Sequence, residues 1–305
     1  MKILFLRVGL ACNNRCSMCA GTWAAQDTLS TEEMILKLQA GSQQGFDEVV
    51  ISGGEPTIRN DIDTIVNAAK QLGYQSIVLQ TNARRLSKND FTKKLINAGI
   101  TRFLVSLHGA NSLQHDNQTR ISGSFDQAIA GIRNIIDLSN ESTRVGVHSV
   151  ILPNNYKSLS EIVDLISLLG IPIIKMSYVV PVGRGSGIYN GNAQPKMTET
   201  VPYLTSAIDD FVSIYHHKPM TSISVGYMPL CILPGYEEFS DEKNAPPTYF
   251  MNDNYKLELA EEQITSRGLK SKRENCKLCK YNLVCTGVWR EYTEYFGWDE
   301  FIPVE

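Results

Sequence analysis

Residues 2–19 read KILFLRVGLACNNRCSMC: an apolar run of strand length, Lys2 to Val8, breaks at Gly9 and is followed by three cysteines in C-x3-C-x2-C spacing. A short apolar run closed by glycine suits a strand buried in a parallel sheet. Working outward, similar runs recur at Glu48 to Ser52, Ser76 to Thr81, Arg102 to Leu107, Arg144 to Leu152 and Ile173 to Val180. Amphipathic stretches of helical length follow them: Thr31 to Gln43, Ile62 to Leu72, Phe91 to Ala98, Phe125 to Leu138, Ser158 to Leu168 and Thr198 to His216. Six βα units predict a parallel sheet with right-handed crossovers, either open and doubly wound or curved into a closed or partial barrel. Periodicity alone leaves both open. Helix punctuation agrees: Ser30 or Thr31 with Glu32 and Glu33 opens one helix, Gly73 closes another, and Ser124 with Asp126 opens a third.

The chain has 305 residues, enough for one large or two modest domains. After about His217 the texture turns to Pro, Gly, Tyr and Asp with short apolar runs, which puts a boundary near residue 220. The expected division is a core over 1–220 and a small irregular domain over 221–305, which lacks a large core and needs staples. With 29 basic against 32 acidic side chains the charge is nearly balanced, which argues against a general nucleic-acid binder. Arg7 interrupts the N-terminal apolar run, which is too short for a signal peptide, and no run of about 18 apolar residues occurs. The expectation is therefore a cytoplasmic protein with no membrane partner, in which the sequons at Asn117 and Asn140 carry no meaning.

The seven cysteines divide as three plus four: Cys12, Cys16 and Cys19, then Cys231, Cys276, Cys279 and Cys285. Disulfides are unusual in a reducing compartment, and these close spacings suit metal. The first set follows the first strand, so its loop lies at the carboxyl edge of the sheet, where α/β folds gather their active sites. Three thiolates ligate three irons of a cubane cluster and leave the fourth iron open to a small chelating molecule.

CNNRCSMC (Cys12–Cys19) together with SGGEPT (Ser52–Thr57) at the end of the second strand resembles the radical S-adenosylmethionine superfamily. The resemblance implies an α/β fold, a partial (β/α)6 TIM-like barrel with a small irregular C-terminal auxiliary-cluster domain. It also implies that a 4Fe-4S cluster held by Cys12, Cys16 and Cys19 binds S-adenosyl-L-methionine. Gly53, Gly54 and Glu55 would cradle the cosubstrate, the glycines by letting backbone approach closely and Glu55 by facing an ammonium group. One departure is Met18, where the family usually has an aromatic residue. Thr81 and Asn82 after the third strand, and SLHGANSLQHDNQTR (Ser106–Arg120) after the fourth, are similar to segments of radical enzymes with accessory clusters. There Ser106 and Arg120 would contact the ribose and carboxylate, the latter suiting a planar guanidinium fork. YVVPVGRGSG (Tyr178–Gly187) resembles the turn at the far barrel edge and opens no helix of the kind a phosphate cradle needs.

CKLCKYNLVC (Cys276–Cys285) has the C-x2-C-x5-C spacing of twitch and SPASM domains of that superfamily, although Trp289 stands where the full SPASM pattern has another cysteine. With Cys231, four thiolates suffice for a second, auxiliary 4Fe-4S cluster. Two alternatives stay open: a zinc knob on the same four thiols, or a three-cysteine cluster with Cys231 free as a hydrogen-atom donor in an epimerase. The implied activity is reductive cleavage of S-adenosylmethionine to a 5′-deoxyadenosyl radical that abstracts hydrogen from a substrate carbon. The outcome would be oxidation, cross-linking or epimerisation in peptide or natural-product biosynthesis, with a flavodoxin- or ferredoxin-type reductant. The substrate is a peptide or a small molecule, and only eleven residues before Cys12 lower the expectation of a fused peptide-binding domain. A rival reading is a non-catalytic iron-sulfur carrier or scaffold, against which the GGE loop counts.

His108, His115, His148, His216 and His217 lack a metal-ligand or nucleophile pairing, and His148 reads as a core residue. The acidic run at Glu237, Glu238, Asp241 and Glu242 reads as a solvated loop. Trp289, Tyr292, Tyr295, Phe296 and Trp298 serve either packing or substrate stacking.

Overall fold

The computed structural model describes residues 2–23, 28–139, 143–190, 194–216, 218, 220–252, 254–260 and 267–305. Asn140 and His217 lie outside the described residues. The six expected strands appear within two residues of their predicted ends: β1 (Ile3–Arg7), β2 (Glu48–Ser52), β3 (Ser76–Thr81), β4 (Arg102–Ser106), β5 (Arg144–Ile151) and β6 (Ile173–Tyr178). Helices alternate with them: α1 (Thr31–Gln43), α2 (Ile62–Gln71), α3 (Asn89–Ala98), α4 (Ser112–Thr119), α5 (Ser124–Leu138), α6 (Leu159–Leu168), α7 (Ser186–Asn190) and α8 (Met197–Tyr215). A seventh strand, β7 (Ser222–Gly226), pairs in parallel with β6. Then come α9 (Asp241–Asn244), β8 (Thr248–Met251), β9 (Leu257–Leu259), β10 (Lys270–Ser271), β11 (Val288–Trp289) and α10 (Arg290–Phe296).

The strand order is β7-β6-β5-β4-β3-β2-β1-β8-β9. Each βα unit therefore steps the same way, with no reversal of strand order, and this resolves the choice left by periodicity: the sheet is a partial barrel, not a doubly wound sheet. β8 extends it in parallel beside β1 and β9 turns back antiparallel, so the sheet draws strands from both sides of residue 220. Strands alternate between two environments. Leu4 and Leu6 of β1, Val49 and Ile51 of β2, and Ile77 and Leu79 of β3 are fully or nearly fully buried in the main core, with Met34, Leu38, Ile65 and Val66 of the helices. Burying such side chains contributes about 1.5–3 kcal/mol each.

Local chemistry fixes the helix ends. Ser30 and Glu33 form a reciprocal capping box at the start of α1. α5 is capped from outside: the Asp116 carboxylate of α4 accepts from the Gly123 N–H at 2.7 Å, the Ser124 hydroxyl at 2.8 Å and the Phe125 N–H at 2.8 Å. α4 was invisible to periodicity because SLQHDNQT has no apolar stripe. It is started by Asn111, whose side chain accepts from the Gln114 N–H, and it buries polar His115, Gln118 and Thr119. The acidic run also departs from expectation: Asp241 pairs with Lys175, and buried Glu242 pairs with Lys270 while accepting from the Thr286 N–H. Tyr292, Trp289 and Phe301 are core residues.

Although desolvation opposes it, the Asp116 carboxyl is held below the usual range by its bonds from Phe125, Ser124 and Gly123. A depressed folded pKa means that its stabilisation is complete above about pH 4 and is lost as pH falls through the folded value. Asp116→Ala should therefore cost about 1–2 kcal/mol at pH 7 by denaturant unfolding. The gap to the natural chain should narrow at pH 3; an equal gap at both pH values would contradict the capping role.

Candidate active site

The first cysteine loop, between β1 and α1, is held from several sides. Along one side the β2 end is zipped to it by backbone: Val8 N–H to Ser52 O at 2.8 Å, Gly54 N–H to Gly9 O at 2.7 Å and Glu55 N–H to Ala11 O at 2.8 Å. Glycine is required for this approach. Gly53 has φ +145°, and a Cβ there would sit 2.5 Å from Gly9 O, while one on Gly54 would sit 2.1 Å from Ala11 O.

Glu55 then binds the next strand. Its buried carboxylate accepts from the Thr57 N–H (3.0 Å), the Thr57 hydroxyl (2.6 Å) and the Thr81 hydroxyl (2.6 Å) at Oε1, and from the Asn82 N–H (2.7 Å) at Oε2. Burial pushes this carboxyl up, and the bonds from Asn82, Thr57 and Thr81 draw it back. Asn82 in turn donates from Nδ2 to Asn13 Oδ1 at 2.7 Å, with Cys12 Sγ 3.9 Å away. Arg84 donates to Asn13 O and to Asn14 Oδ1, and bonds Gln127 through Nε.

The end of α4 closes the opposite side. The Arg15 N–H donates to Thr119 O and the Ser17 N–H to Gln118 O, both at 2.9 Å, and the Ser17 hydroxyl reaches Gln118 Oε1 at 2.8 Å. The turn after β6 adds an Arg184 N–H bond to Cys19 O at 3.0 Å. Thr81 and Asn82 were legible as a pair in the sequence; Arg84, Gln118 and Thr119 were not, because they act largely through main-chain groups or on main-chain groups. Of the other expected contacts, Ser106 ends β4, half-buried and in register with His148. Arg120 is exposed at the left-handed end of α4, φ 57°, directly after the residue that bonds Arg15.

None of the seven cysteines is in a disulfide. Burial pushes the Cys12 thiol up while the Asn14 N–H, 3.3 Å from its sulfur, draws it down. Burial, then the neighbouring Cys12 and Cys19, pushes Cys16 up to about 12. Cys12 and Cys19 thus oppose ionisation of Cys16, and thiolates gathered this closely are stabilised by positive charge, which is what iron supplies.

The second set assembles from three segments. Cys231 follows β7, Cys276 lies within the short helical turn Glu274–Leu278 and Cys279 directly after it, and Cys285 precedes β11. All four line one cavity with Leu230, Val288 and Phe301. Burial, then Cys285, Cys279 and Cys276, pushes Cys231 up to about 12, so it lies within the field of the other three. Backbone N–H groups of Val304 and Gly287 donate to Cys279 Sγ and Cys285 Sγ at 3.4 and 3.3 Å. Such N–H to sulfur bonds are among the groups that tune iron-sulfur clusters. Among the described residues no three His, Cys, Asp or Glu side chains meet as they would around a single ion.

The histidines after β4 and in β5 are hydrogen-bonded within the barrel. His148 Nε2 lies 3.0 Å from Ser177 Oγ, and burial followed by the Lys175 charge pushes its pKa down to about 3. The His108 N–H donates to His115 Nδ1 at 3.1 Å. Among the described residues no helix is long and apolar enough to cross a membrane.

Comparison with known proteins places this geometry. The Radical SAM superfamily profile matches residues 6–166. A probable GTP 3′,8-cyclase from Saccharolobus solfataricus is 33% identical over 186 residues, 59% of this chain and 58% of that protein. An Fe-coproporphyrin III synthase from Methanosarcina barkeri is 30% identical over 182 residues, 59% of this chain and 44% of that protein. The match thus spans little more than half of the first relative and less than half of the second. Among solved structures, Streptococcus suis SuiB bound to S-adenosylmethionine superposes with a TM-score of 0.67 at 16% identity, covering 99% of this chain and 76% of that one. The anSMEcpe structure with bound AdoMet gives 0.68 at 14% identity, covering 98% and 95%. At such identities these structures share the fold. With more than half of its length matched by the family profile, and the clamped cysteine loop inside that match, the chain belongs to the radical SAM superfamily.

Proposed function

We propose that this chain is an enzyme in which Cys12, Cys16 and Cys19 hold a 4Fe-4S cluster with one iron left for S-adenosylmethionine, and in which Cys231, Cys276, Cys279 and Cys285 hold a second. The observation that carries the reading is the convergence of every thiol of the chain on one of two built sites, the first a clamped loop and the second a single cavity. When bound and reduced, the first cluster supplies the electron that splits S-adenosylmethionine into methionine and a 5′-deoxyadenosyl radical, which takes hydrogen from a substrate carbon. The residues position and exclude. Gly53 and Gly54 press the β2 loop onto the cysteine loop, and Glu55 fixes the β3 end beside it. Oε1 of Glu55 accepts three bonds and Oε2 one, which leaves Oε2 with acceptor capacity toward a cosubstrate ammonium. Ser106 and Arg120 serve the ribose and carboxylate.

The substrate is a peptide or a small molecule, and the outcome an oxidation or cross-link in which the second cluster takes up the substrate electron. SuiB is also known bound to its precursor peptide SuiA, which supports the peptide branch, whereas the cyclase and the synthase support small metabolites. The place of Cys231 in the field of three other thiols supports a ligand over a free hydrogen donor. An acidic flavodoxin- or ferredoxin-type protein is the reductant.

Anaerobic reconstitution should give about eight irons per chain and no zinc; about four irons with one zinc would overturn the second cluster. Cys16→Ala should abolish 5′-deoxyadenosine formation, and undiminished product would sink the assignment. Cys231→Ala should lower iron content or alter the spectrum of the second cluster; full iron with lost product would instead revive the hydrogen-donor role. Glu55→Gln replaces an acceptor oxygen by a donor opposite donors, so first-cluster iron should fall severalfold with the far-UV spectrum retained.

A further inference from the structure

Ser106 of β4, His148 of β5, Lys175 of β6 and Ser224 of β7 stand in one register row across the sheet. Their strand neighbours Val105, Val147, Ile174 and Val225 point the other way and are wholly buried, whereas the row itself is half-buried, so it lines a recess on the concave face. Ser240 bridges Val225 in parallel, which carries Asp241 up to Lys175, and the two form an ion pair. Gly226 leaves room for it: a Cβ there would meet Ser177 Oγ at 2.8 Å, Asp241 Oδ2 at 3.2 Å and Lys175 Cε at 3.3 Å. The pair is partly open, Lys175 34% and Asp241 21% exposed, yet burial is the strongest influence on the Lys175 ammonium, as on a group in the wall of a recess. Tyr227, directly after Gly226, holds a left-handed φ of +62°, rare for a bulky residue, and meets Trp289 edge-on. Much hydrogen-bonding capacity is unspent. Among the described residues Asp241 Oδ1 and the hydroxyls of Ser224 and Tyr227 make no hydrogen bond, and Lys175 uses one of its three donors. The remaining charges nearby are accounted for. His148, pushed down to about 3, is neutral; Glu242 is taken by Lys270; Arg7 stands at the far end of the β1–β7 array with its guanidinium over the Phe250 ring.

We propose that this recess seats a vicinal diol of a neutral, hydroxyl-rich small molecule, one hydroxyl accepting from Lys175 Nζ and its neighbour donating to Asp241 Oδ1, with the Ser224 and Tyr227 hydroxyls beside them. The inference deepens the small-molecule branch of the proposed function and rests on it for the reaction that follows binding. Charge selects first. The pair is neutral as a unit, so a carboxylate or phosphate would have to draw Lys175 from Asp241, and an ammonium would have to draw Asp241 from Lys175; either leaves a charge uncompensated. Geometry selects next. The N–H and C=O of a trans peptide group point to opposite sides, so one peptide group cannot meet a donor and an acceptor that touch each other. A vicinal diol offers an acceptor and a donor on neighbouring atoms. A primary carboxamide does too, but the hydroxyls around the pair favour a ligand whose every polar group both gives and takes a hydrogen bond. The row also starts at Ser106, assigned above to the cosubstrate ribose, two strand spacings or about 10 Å from Lys175. A ring-sized molecule seated on the pair spans that gap toward the sugar that carries the radical.

The test is calorimetric titration of the reconstituted holoprotein, with S-adenosylmethionine present and no reductant, using myo-inositol as the diol probe, succinamide as the carboxamide and succinate as the anion. Myo-inositol should bind about tenfold more tightly than either of the others. Lys175→Met and Asp241→Asn should each weaken it about tenfold with S-adenosylmethionine binding retained, while Lys93→Glu on α3 changes nothing. The exchange Lys175→Asp with Asp241→Lys restores a neutral pair, so it should bind myo-inositol more tightly than either half of the exchange alone, which keeps the test valid if a single variant folds poorly. Absence of myo-inositol binding, tighter binding of succinamide or succinate, or an affinity indifferent to the pair would overturn the proposal. The 5′-deoxyadenosine formed on later reduction is counted in the same samples, so the two readings fail separately. Pair-dependent binding without 5′-deoxyadenosine contradicts the radical reading alone, and 5′-deoxyadenosine without myo-inositol binding contradicts the recess alone.

Discussion

The buried carboxylate of Glu55 is the joint on which the site depends. An unpaired carboxylate away from water is costly by several kcal/mol, and four hydrogen bonds at one side chain offset that cost. Those bonds tie the end of β2 to Thr81 and Asn82 at the end of β3. The Glu55 N–H reaches Ala11 and the Asn82 side chain reaches Asn13, so the cysteine loop inherits its position from the same residue. A mobile loop would scatter three thiols; a clamped one presents them together.

The fold was legible where periodicity carries information. Buried parallel strands are short apolar runs and surface helices are apolar stripes, so six βα units could be found from sequence and placed to within two residues. Periodicity says nothing of the order in which strands pair, and so the barrel became definite only with β1 to β7 in sequential array. α4 escaped because its structure comes from the Asn111 cap and buried polar groups, β7 because SISVG alternates serine with apolar residues and forms no apolar run, and β8 because four residues in a Pro-rich stretch are too few to read.

The site was legible in its ligands and less so in its supports. Cysteine spacing and the GGE loop announce themselves. The glycines were read as space for a ligand, and the structure adds a second duty, since the Cβ directions of Gly53 and Gly54 are filled by Gly9 and Ala11 carbonyls. Gln118 and Thr119 support the loop through their carbonyls, which any residue possesses, so no side-chain pattern marks them. The C-terminal half of the account follows the same logic in reverse: Cys231 is distant in sequence from its three companions, and only folding brings it to their cavity.

The central claim is that the clamped loop holds a cluster with one open iron that S-adenosylmethionine completes. Electron paramagnetic resonance of the reduced, anaerobically reconstituted chain, recorded with and without S-adenosylmethionine, tests it directly. The account requires the signal of one cluster to shift on addition and that of the other to stay. Spectra that superpose at saturating S-adenosylmethionine would contradict it.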